Sequence, residues 1–231
     1  MPLIRIDGID QEVDKGATIL EAANFLGIEI PTLCYYEGLT PYGGCRLCLV
    51  EIQENNKSKL VSSCTYPAED GLNIRTNSKR VIRARKMMIE LLLSICSTSK
   101  TIQDLASKFG VTKVRFKIRN DDCTLCGLCV RICAEQMDAK AIGFVQRGYN
   151  RRITTPFDMK SEVCRRCGAC MYICPACQMR CLGTELEEDV CGSCLTISPT
   201  CTDYYEDLMC FMGPTGDCGT CVRETPEKLR K

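Results

Sequence analysis

Two runs of cysteine in this chain share one spacing. They are Cys123-x2-Cys126-x2-Cys129-x3-Cys133 and Cys164-x2-Cys167-x2-Cys170-x3-Cys174, the second followed at once by Pro175. Three thiolates two residues apart can converge on one metal cubane, and Gly127 and Gly168 permit the tight turn each run needs. Repeated twice, this is the spacing that binds a pair of [4Fe–4S] clusters. Packing alone gives no reason for eight thiols to repeat a pattern, so the expected chemistry is the movement of single electrons.

A third constellation lies upstream: Cys34, Cys45, Cys48 and Cys64, spaced C-x10-C-x2-C-x15-C. Its central Cys-x2-Cys is shared with the loops that hold [2Fe–2S] clusters, while the flanking gaps differ. Gly43 and Gly44 stand just before Cys45. A loop around a cluster turns backbone N–H groups toward sulfur, and glycine reaches those dihedrals at little cost. A zinc ion held by four thiolates is the alternative for this set.

Composition narrows the chemistry. The 231 residues contain 21 cysteines and no histidine. Without histidine there is no Rieske centre, no c-type haem attachment, no His-ligated zinc and no Ser–His or Cys–His catalysis. The formal charge of +1 counts the cysteines as neutral. Three four-thiolate clusters, at about −2 each, shift the loaded protein to roughly −5, which argues against nucleic acid or an anionic membrane as partner. The opening residues Met1–Asp7 lack the apolar core of a secretory signal, and the apolar run Met87–Ile95 is too short for a bilayer and contains Glu90. A cytoplasmic setting is expected, where thiols stay reduced and cysteine pairs serve metal or redox chemistry.

The elements that must position these thiols follow from periodicity. Leu3, Ile4 and Ile6 before Asp7-Gly8, with Val13 beyond, predict a hairpin. Thr18 and Glu21 form a capping box ahead of a helical face of Ile19, Ala22, Ala23 and Leu26, and Gly27 stops the helix. Strands are predicted over Cys48–Ile52, Leu60–Cys64 and Leu72–Arg75. The result is an α+β module over residues 1–77 with its cysteines in and beside a long loop. Ser78 predicts the start of a helix reaching Ile95 that buries Val81, Ile82, Met88, Leu91, Leu92 and Ile95. Its cations Lys79, Arg80, Arg83, Arg85 and Lys86 are expected on a solvated face or a partner-docking patch. A second helix is predicted from Thr101 to Phe109, stopped by Gly110.

Residues 1–175 resemble the iron–sulfur part of the large subunit of respiratory NADH dehydrogenase (complex I). They resemble equally the diaphorase iron–sulfur subunit of NAD-linked hydrogenases and the N-terminal region of [FeFe]-hydrogenases. The resemblance is carried by Pro31-Thr32-Leu33-Cys34, Gly44-Cys45-Arg46-Leu47-Cys48 and Cys123-Thr124-Leu125-Cys126-Gly127-Leu128-Cys129-Val130-Arg131. Ala141-Ile142-Gly143-Phe144-Val145, Arg147-Gly148 and Pro156-Phe157 extend it. It implies an α+β chain in four parts: a β-grasp [2Fe–2S] ferredoxin domain (1–77), a helical linker (78–122), a bacterial-type 2[4Fe–4S] ferredoxin domain (123–176) and a Cys-rich irregular C-terminal extension (177–231). It also implies that the fourth cysteine of each run serves the opposite cluster. One cubane then takes Cys123, Cys126, Cys129 and Cys174, and the other takes Cys133, Cys164, Cys167 and Cys170.

The chain departs from this pattern in three places. The linker of much of the family binds a further [4Fe–4S] cluster through one histidine and three cysteines. Here the linker offers only Cys96, so that cluster is expected to be absent and Cys96 to be a small buried hydrophobe. Ala134 replaces the proline expected after the first run. The extension adds Cys177, Cys181, Cys191, Cys194, Cys201, Cys210, Cys218 and Cys221. Cys191-x2-Cys194 and Cys218-x2-Cys221, with 23 residues between them, have a spacing near that of a zinc ribbon, which would also serve a cluster. One or two additional [4Fe–4S] or zinc sites are expected there, with free or disulfide-bonded cysteines as the remaining alternative.

No glycine-rich phosphate loop of the Rossmann type is present. The expectation is an electron-transfer iron–sulfur subunit of a soluble multisubunit NAD(P)-linked, flavin-dependent oxidoreductase. It would pass single electrons between a flavoprotein NAD(P)H-oxidising subunit and a further redox subunit, with soluble ferredoxin as another candidate partner. Electron-bifurcating transhydrogenase, hydrogenase and formate dehydrogenase complexes all fit. The alternative is a zinc-stapled interaction or scaffold protein without a redox role.

Overall fold

The computed structural model describes residues 1–54, 57–119, 123–159, 161–165 and 167–176. The extension from Cys177 onward, with all eight of its cysteines, lies outside the described residues, so the expectations for it are not addressed by the fold. Two compact units are present: residues 1–94 with 104–118, and residues 95–103 with those from 119 onward.

The first unit is built on a five-stranded sheet. In chain order its elements are β1 (Leu3–Ile6), β2 (Ile9–Glu12), α1 (Ile19–Phe25), β3 (Leu49–Glu54), β4 (Lys57–Ser62) and β5 (Asn73–Arg75). The strand order is β2-β1-β5-β3-β4. Two antiparallel hairpins, β1–β2 and β3–β4, flank the short central β5, which runs parallel to β1 and antiparallel to β3. The alternation of β1 explains the register, because Ile4 and Ile6 are fully buried while Leu3 and Arg5 are exposed. Ile74 of β5 pairs with both Ile6 and Ile52, and all three have no exposed surface. Burying each such side chain contributes about 1.5–3 kcal/mol, and a one-residue slip would turn the whole set toward water. Asp7 and Gly8, both at positive φ, close the first hairpin as the sequence predicts.

The capping box of α1 is formed in full. The Glu21 N–H donates to Thr18 Oγ1 at 3.3 Å, and the Thr18 N–H donates to Glu21 Oε2 at 2.7 Å. Ile19, Leu20, Ala22 and Ala23 join the core around Ile4, Ile6, Val50, Ile52 and Ile74. Strand β4 ends at Ser62, earlier than the predicted Leu60–Cys64. The N–H groups of Thr65 and Tyr66 both donate to the Ser62 carbonyl, so the chain turns and Cys64 leaves the ladder.

Helix α2 (Lys79–Ile95) has the predicted extent but a different buried face. Val81, Arg85, Ile89 and Leu92 face inward, while Ile82 and Met87 are exposed. Of the cations expected on a solvated face or docking patch, Arg80 is exposed but bonded and Arg85 departs from the expectation. Arg80 Nη1 donates to the Ser58 carbonyl at 3.0 Å and to Ser58 Oγ at 2.8 Å, and Arg85 is buried. Lys79, Arg83 and Lys86 line an open groove with Lys113 and Arg115. Buried Glu90 is held there by Arg115, whose backbone N–H and Nε both donate to Glu90 Oε1, at 2.6 and 2.9 Å. Helix α3 (Lys100–Phe109) begins a residue earlier than predicted, and Gly110 at φ 64 stops it. The Thr101 hydroxyl donates to the Pro175 carbonyl at 3.4 Å, beside Ser99 Oγ at 3.1 Å.

The described part of the second unit is short of regular structure. Helix α4 (Leu128–Arg131) leads into a π-type turn over Ile132–Gln136, β6 (Gly143–Val145) pairs antiparallel with β7 (Arg152–Thr154), and α5 (Ala169–Tyr172) follows. Its core is Cys129, Ile142 and Ile153, packed by Leu125, Val130, Phe144 and other cysteines. Among the described residues no helix is long and apolar enough to cross a membrane.

Removing the Thr18 hydroxyl tests how far α1 supports the first unit. Thr18→Ala is expected to cost about 1 kcal/mol, lowering the melting temperature of this unit by about 4–8 °C. Calorimetry against the parent protein reads the difference.

Candidate metal centres

The four upstream cysteines lie in the first unit, where they make two close pairs. Cys34, Cys48 and Cys64 are buried and Cys45 is partly buried. The sulfurs of Cys48 and Cys64 lie 3.3 Å apart, and the Cys45 N–H donates to Cys34 Sγ at 3.4 Å. The shared proton with Cys64 lowers Cys48 to about 6 against the opposing effect of burial, and Cys64 is pushed up by Cys48, by burial and then by the charges of Cys34 and Cys45. The contact with Cys34, followed by burial, raises Cys45.

The loop geometry divides the glycine roles expected from sequence. Gly43 has φ +66, a left-handed conformation, whereas Gly44 is needed for space. A Cβ on Gly44 would lie 2.3 Å from the Tyr42 ring. Within the Cys45–Cys48 turn Arg46 itself takes φ 57, with its guanidinium donating to Ser62 Oγ at 2.7 Å. That left-handed residue carries no glycine signal and sequence reasoning missed it.

The donor set suits a four-thiolate centre. Ser63 is completely buried, and its hydroxyl has no partner among the described oxygens and nitrogens. It favours the thiolate form of Cys48. A buried donor of this kind is costly unless an anion uses it, as coordinated thiolates would.

In the second unit the two runs share one local feature. Gly127 at φ 73 and Gly168 at φ 71 each precede a four-residue helix that contains the third cysteine, Cys129 or Cys170. Each helix begins directly after its glycine, which is the left-handed N-cap. Leu125 at φ 54 turns its N–H onto Cys123 Sγ at 3.4 Å, and the Ala141 N–H donates to Cys133 Sγ at 3.3 Å.

Burial dominates the electrostatics of the shifted thiols in both runs. Burial raises Cys129, with Cys174, Cys126 and Cys123 adding to it and Cys170 acting least. Burial raises Cys123 to about 12, followed by Cys174 and Cys126. Burial likewise raises Cys170 to about 12, followed by Cys167, Cys133 and Cys164. Cys174 of the second run thus acts on Cys123 and Cys129 of the first, and Cys133 of the first run acts on Cys170 of the second. Cys96 is buried, as expected, and close enough to raise Cys123 as well. Arg165, the residue after Cys164, is exposed.

Comparison with known proteins agrees with the resemblance seen in the motifs. Residues 3–79 match the 2Fe-2S iron-sulfur cluster binding domain. The first unit is therefore a [2Fe–2S]-type α+β domain. The chain is homologous to the NADH-ubiquinone oxidoreductase 75 kDa subunit of Reclinomonas americana, at 36% identity over 65% of this chain and 25% of the relative. The NADP-reducing hydrogenase subunit HndD of Solidesulfovibrio fructosivorans is 34% identical, over 76% of this chain and 35% of its own length. The NADPH-Fe(3+) oxidoreductase subunit alpha of Geobacter sulfurreducens is 34% identical over 87% of this chain and 24% of its own. The chain thus spans about a quarter to a third of the curated relatives it matches. Among solved structures, a chain of an NAD+-reducing [NiFe]-hydrogenase superposes with a TM-score of 0.59 at 27% identity, over 67% of this chain and 74% of that one.

The raised thiols give a pH signature to the metal-free chain. An unfolded cysteine titrates near about 8.5, whereas Cys123 and Cys170 hold their protons to about 12. The folded form binds more protons across that window, so its stability is full below the unfolded value and falls as pH rises toward the folded one. Urea unfolding of metal-free protein is expected to show a falling midpoint between about pH 9 and 11, and Cys170→Ser should flatten that fall.

Proposed function

We propose that this chain is an electron-transfer iron–sulfur subunit of a multisubunit NAD(P)-linked, flavin-dependent oxidoreductase. The observation that carries the reading is the match of residues 3–79, which include Cys34, Cys45, Cys48 and Cys64, to a 2Fe-2S cluster binding domain, and the two repeated cysteine runs downstream support it. In this reading the first unit is a β-grasp domain whose [2Fe–2S] ligands are Cys34, Cys45, Cys48 and Cys64. The second unit is a bacterial-type two-cluster domain. Cys123, Cys126, Cys129 and Cys174 hold one [4Fe–4S] cluster, and Cys133, Cys164, Cys167 and Cys170 the other. The eight cysteines beyond Ala176 supply one or two further [4Fe–4S] or zinc sites.

Each cluster, when bound, takes up and releases one electron. The work of the chain's own residues is to fix that exchange. Thiolates supply the ligands, backbone N–H groups such as those of Cys45, Leu125 and Ala141 point at cysteine sulfur, and burial keeps water away. No residue is assigned as acid, base or nucleophile. A flavoprotein partner handles the nicotinamide, and a further redox subunit or soluble ferredoxin takes or supplies the electrons, in the cytoplasm. Support comes from relatives named as subunits of NADH, NADPH and hydrogenase oxidoreductases.

Two measurements test the reading. Anaerobically purified protein is expected to contain about 10 iron atoms with matching acid-labile sulfide, rising to about 14–18 if the extension also holds clusters. Zinc with negligible sulfide would make it a scaffold instead. The lone subunit should be reduced by dithionite yet leave NADH unoxidised; NADH oxidation without flavin or partner would reveal a cofactor site outside these three sets.

A further inference from the structure

We propose that Arg85 is a positioning residue for the [2Fe–2S] site, clamping the backbone on both sides of Cys48 and fixing a positive charge there that favours the reduced cluster. The inference rests on the reading of Cys34, Cys45, Cys48 and Cys64 as the ligands of that cluster.

Arg85 lies on the inward stripe of α2, between Val81 and Ile89, and is 5% exposed. Its Nε donates to the Leu47 carbonyl at 3.0 Å and its Nη2 to the Leu49 carbonyl at 2.7 Å. These carbonyls belong to the residues immediately before and after Cys48. One rigid guanidinium fork therefore spans the ligand position, which a flexible ammonium cannot do with both bonds at once.

The charge matters separately from the clamp. Among the described residues no carboxylate forms an ion pair with Arg85, and the acidic groups acting on it are the Cys48 thiol and Asp7. Asp7 is already committed, accepting from the Thr76 N–H at 2.8 Å and from the Thr76 hydroxyl. Burying a cation without a counter-charge is costly, and leucine or methionine would complete the apolar stripe more cheaply. A position that breaks the local pattern in this way points to function. A [2Fe–2S] site gains one negative charge on reduction, and a fixed cation in a medium of low dielectric stabilises that form preferentially.

The test uses the full chain purified anaerobically, titrated with dithionite as the one-electron donor and ferricyanide as the acceptor. The [2Fe–2S] signal is followed by electron paramagnetic resonance at a temperature where the faster-relaxing cubanes are broadened away. Arg85→Gln removes the charge and keeps one donor; Arg85→Lys keeps the charge and loses the fork. At the parent's midpoint, Arg85→Gln is expected to lower the reduced-to-oxidised ratio at least tenfold, about 59 mV for one electron. Arg85→Lys should recover most of that shift while altering the line shape. An Arg85→Gln protein with full iron and sulfide and an unmoved midpoint would overturn the proposal, as would an Arg85→Lys midpoint displaced as far as that of Arg85→Gln. Should Arg85→Gln not hold its cluster, Arg85→Lys decides alone. A midpoint near the parent's with a changed line shape supports the assignment, and a parental line shape refutes the clamp. A parent protein without any [2Fe–2S] signal would instead refute the ligand reading itself.

Discussion

Thiols crowded against one another and out of water cannot all ionise unless something shares their charge, and the fold of this chain is arranged around that constraint. Cys48 and Cys64 share a proton at 3.3 Å, and Cys45 and Cys34 are tied by a backbone N–H. Around them the structure supplies donors: the buried hydroxyl of Ser63, backbone amides, and the cation of Arg85 held close by two carbonyls. Each of these is unfavourable in an ordinary apolar core. Together they make an environment that accepts an anionic four-thiolate centre and penalises its absence.

The same constraint explains why the two units use different means. The first has a real core, with Ile4, Ile6, Ile52 and Ile74 sealed between sheet and helix, so its cysteine loop can hang from a stable frame. The second has a described core cluster of only three buried residues, one of which is Cys129. Its order comes from turns rather than ladders, with Gly127, Gly168 and Leu125 all in left-handed conformations and amides aimed at sulfur. A small module whose described core includes thiols gains folding free energy from whatever those thiols bind.

Helix α2 links sequence economy to this electrostatic design. Its cations divide by function: Arg80 anchors on Ser58, Arg85 grips the carbonyls beside Cys48, and Lys79, Arg83 and Lys86 remain along an open groove. Charge alone would place all five in solvent. Position on the helix decides otherwise, since residues 81, 85 and 89 recur every four positions and share one face.

The expectation of cluster-binding cysteines came from the sequence by itself, because ligand spacing is a local property: a C-x2-C-x2-C run and its glycine turn need no distant partner to be read. The sequence likewise determined the hairpins, the capping box and the extent of α2, where short-range patterning governs. Tertiary structure alone decided the rest. The end of β4 moved because the Ser62 carbonyl accepts from residues that propensity assigns elsewhere. Gly44 proved to be a matter of room beside Tyr42, and Arg46 and Leu125 adopted dihedrals that no composition rule assigns them. Arg85 was hidden because its partners lie 36 and 38 residues away. Its one local sign was a cation on the stripe of Val81 and Ile89, since only the folded chain brings that stripe onto the loop of Cys48.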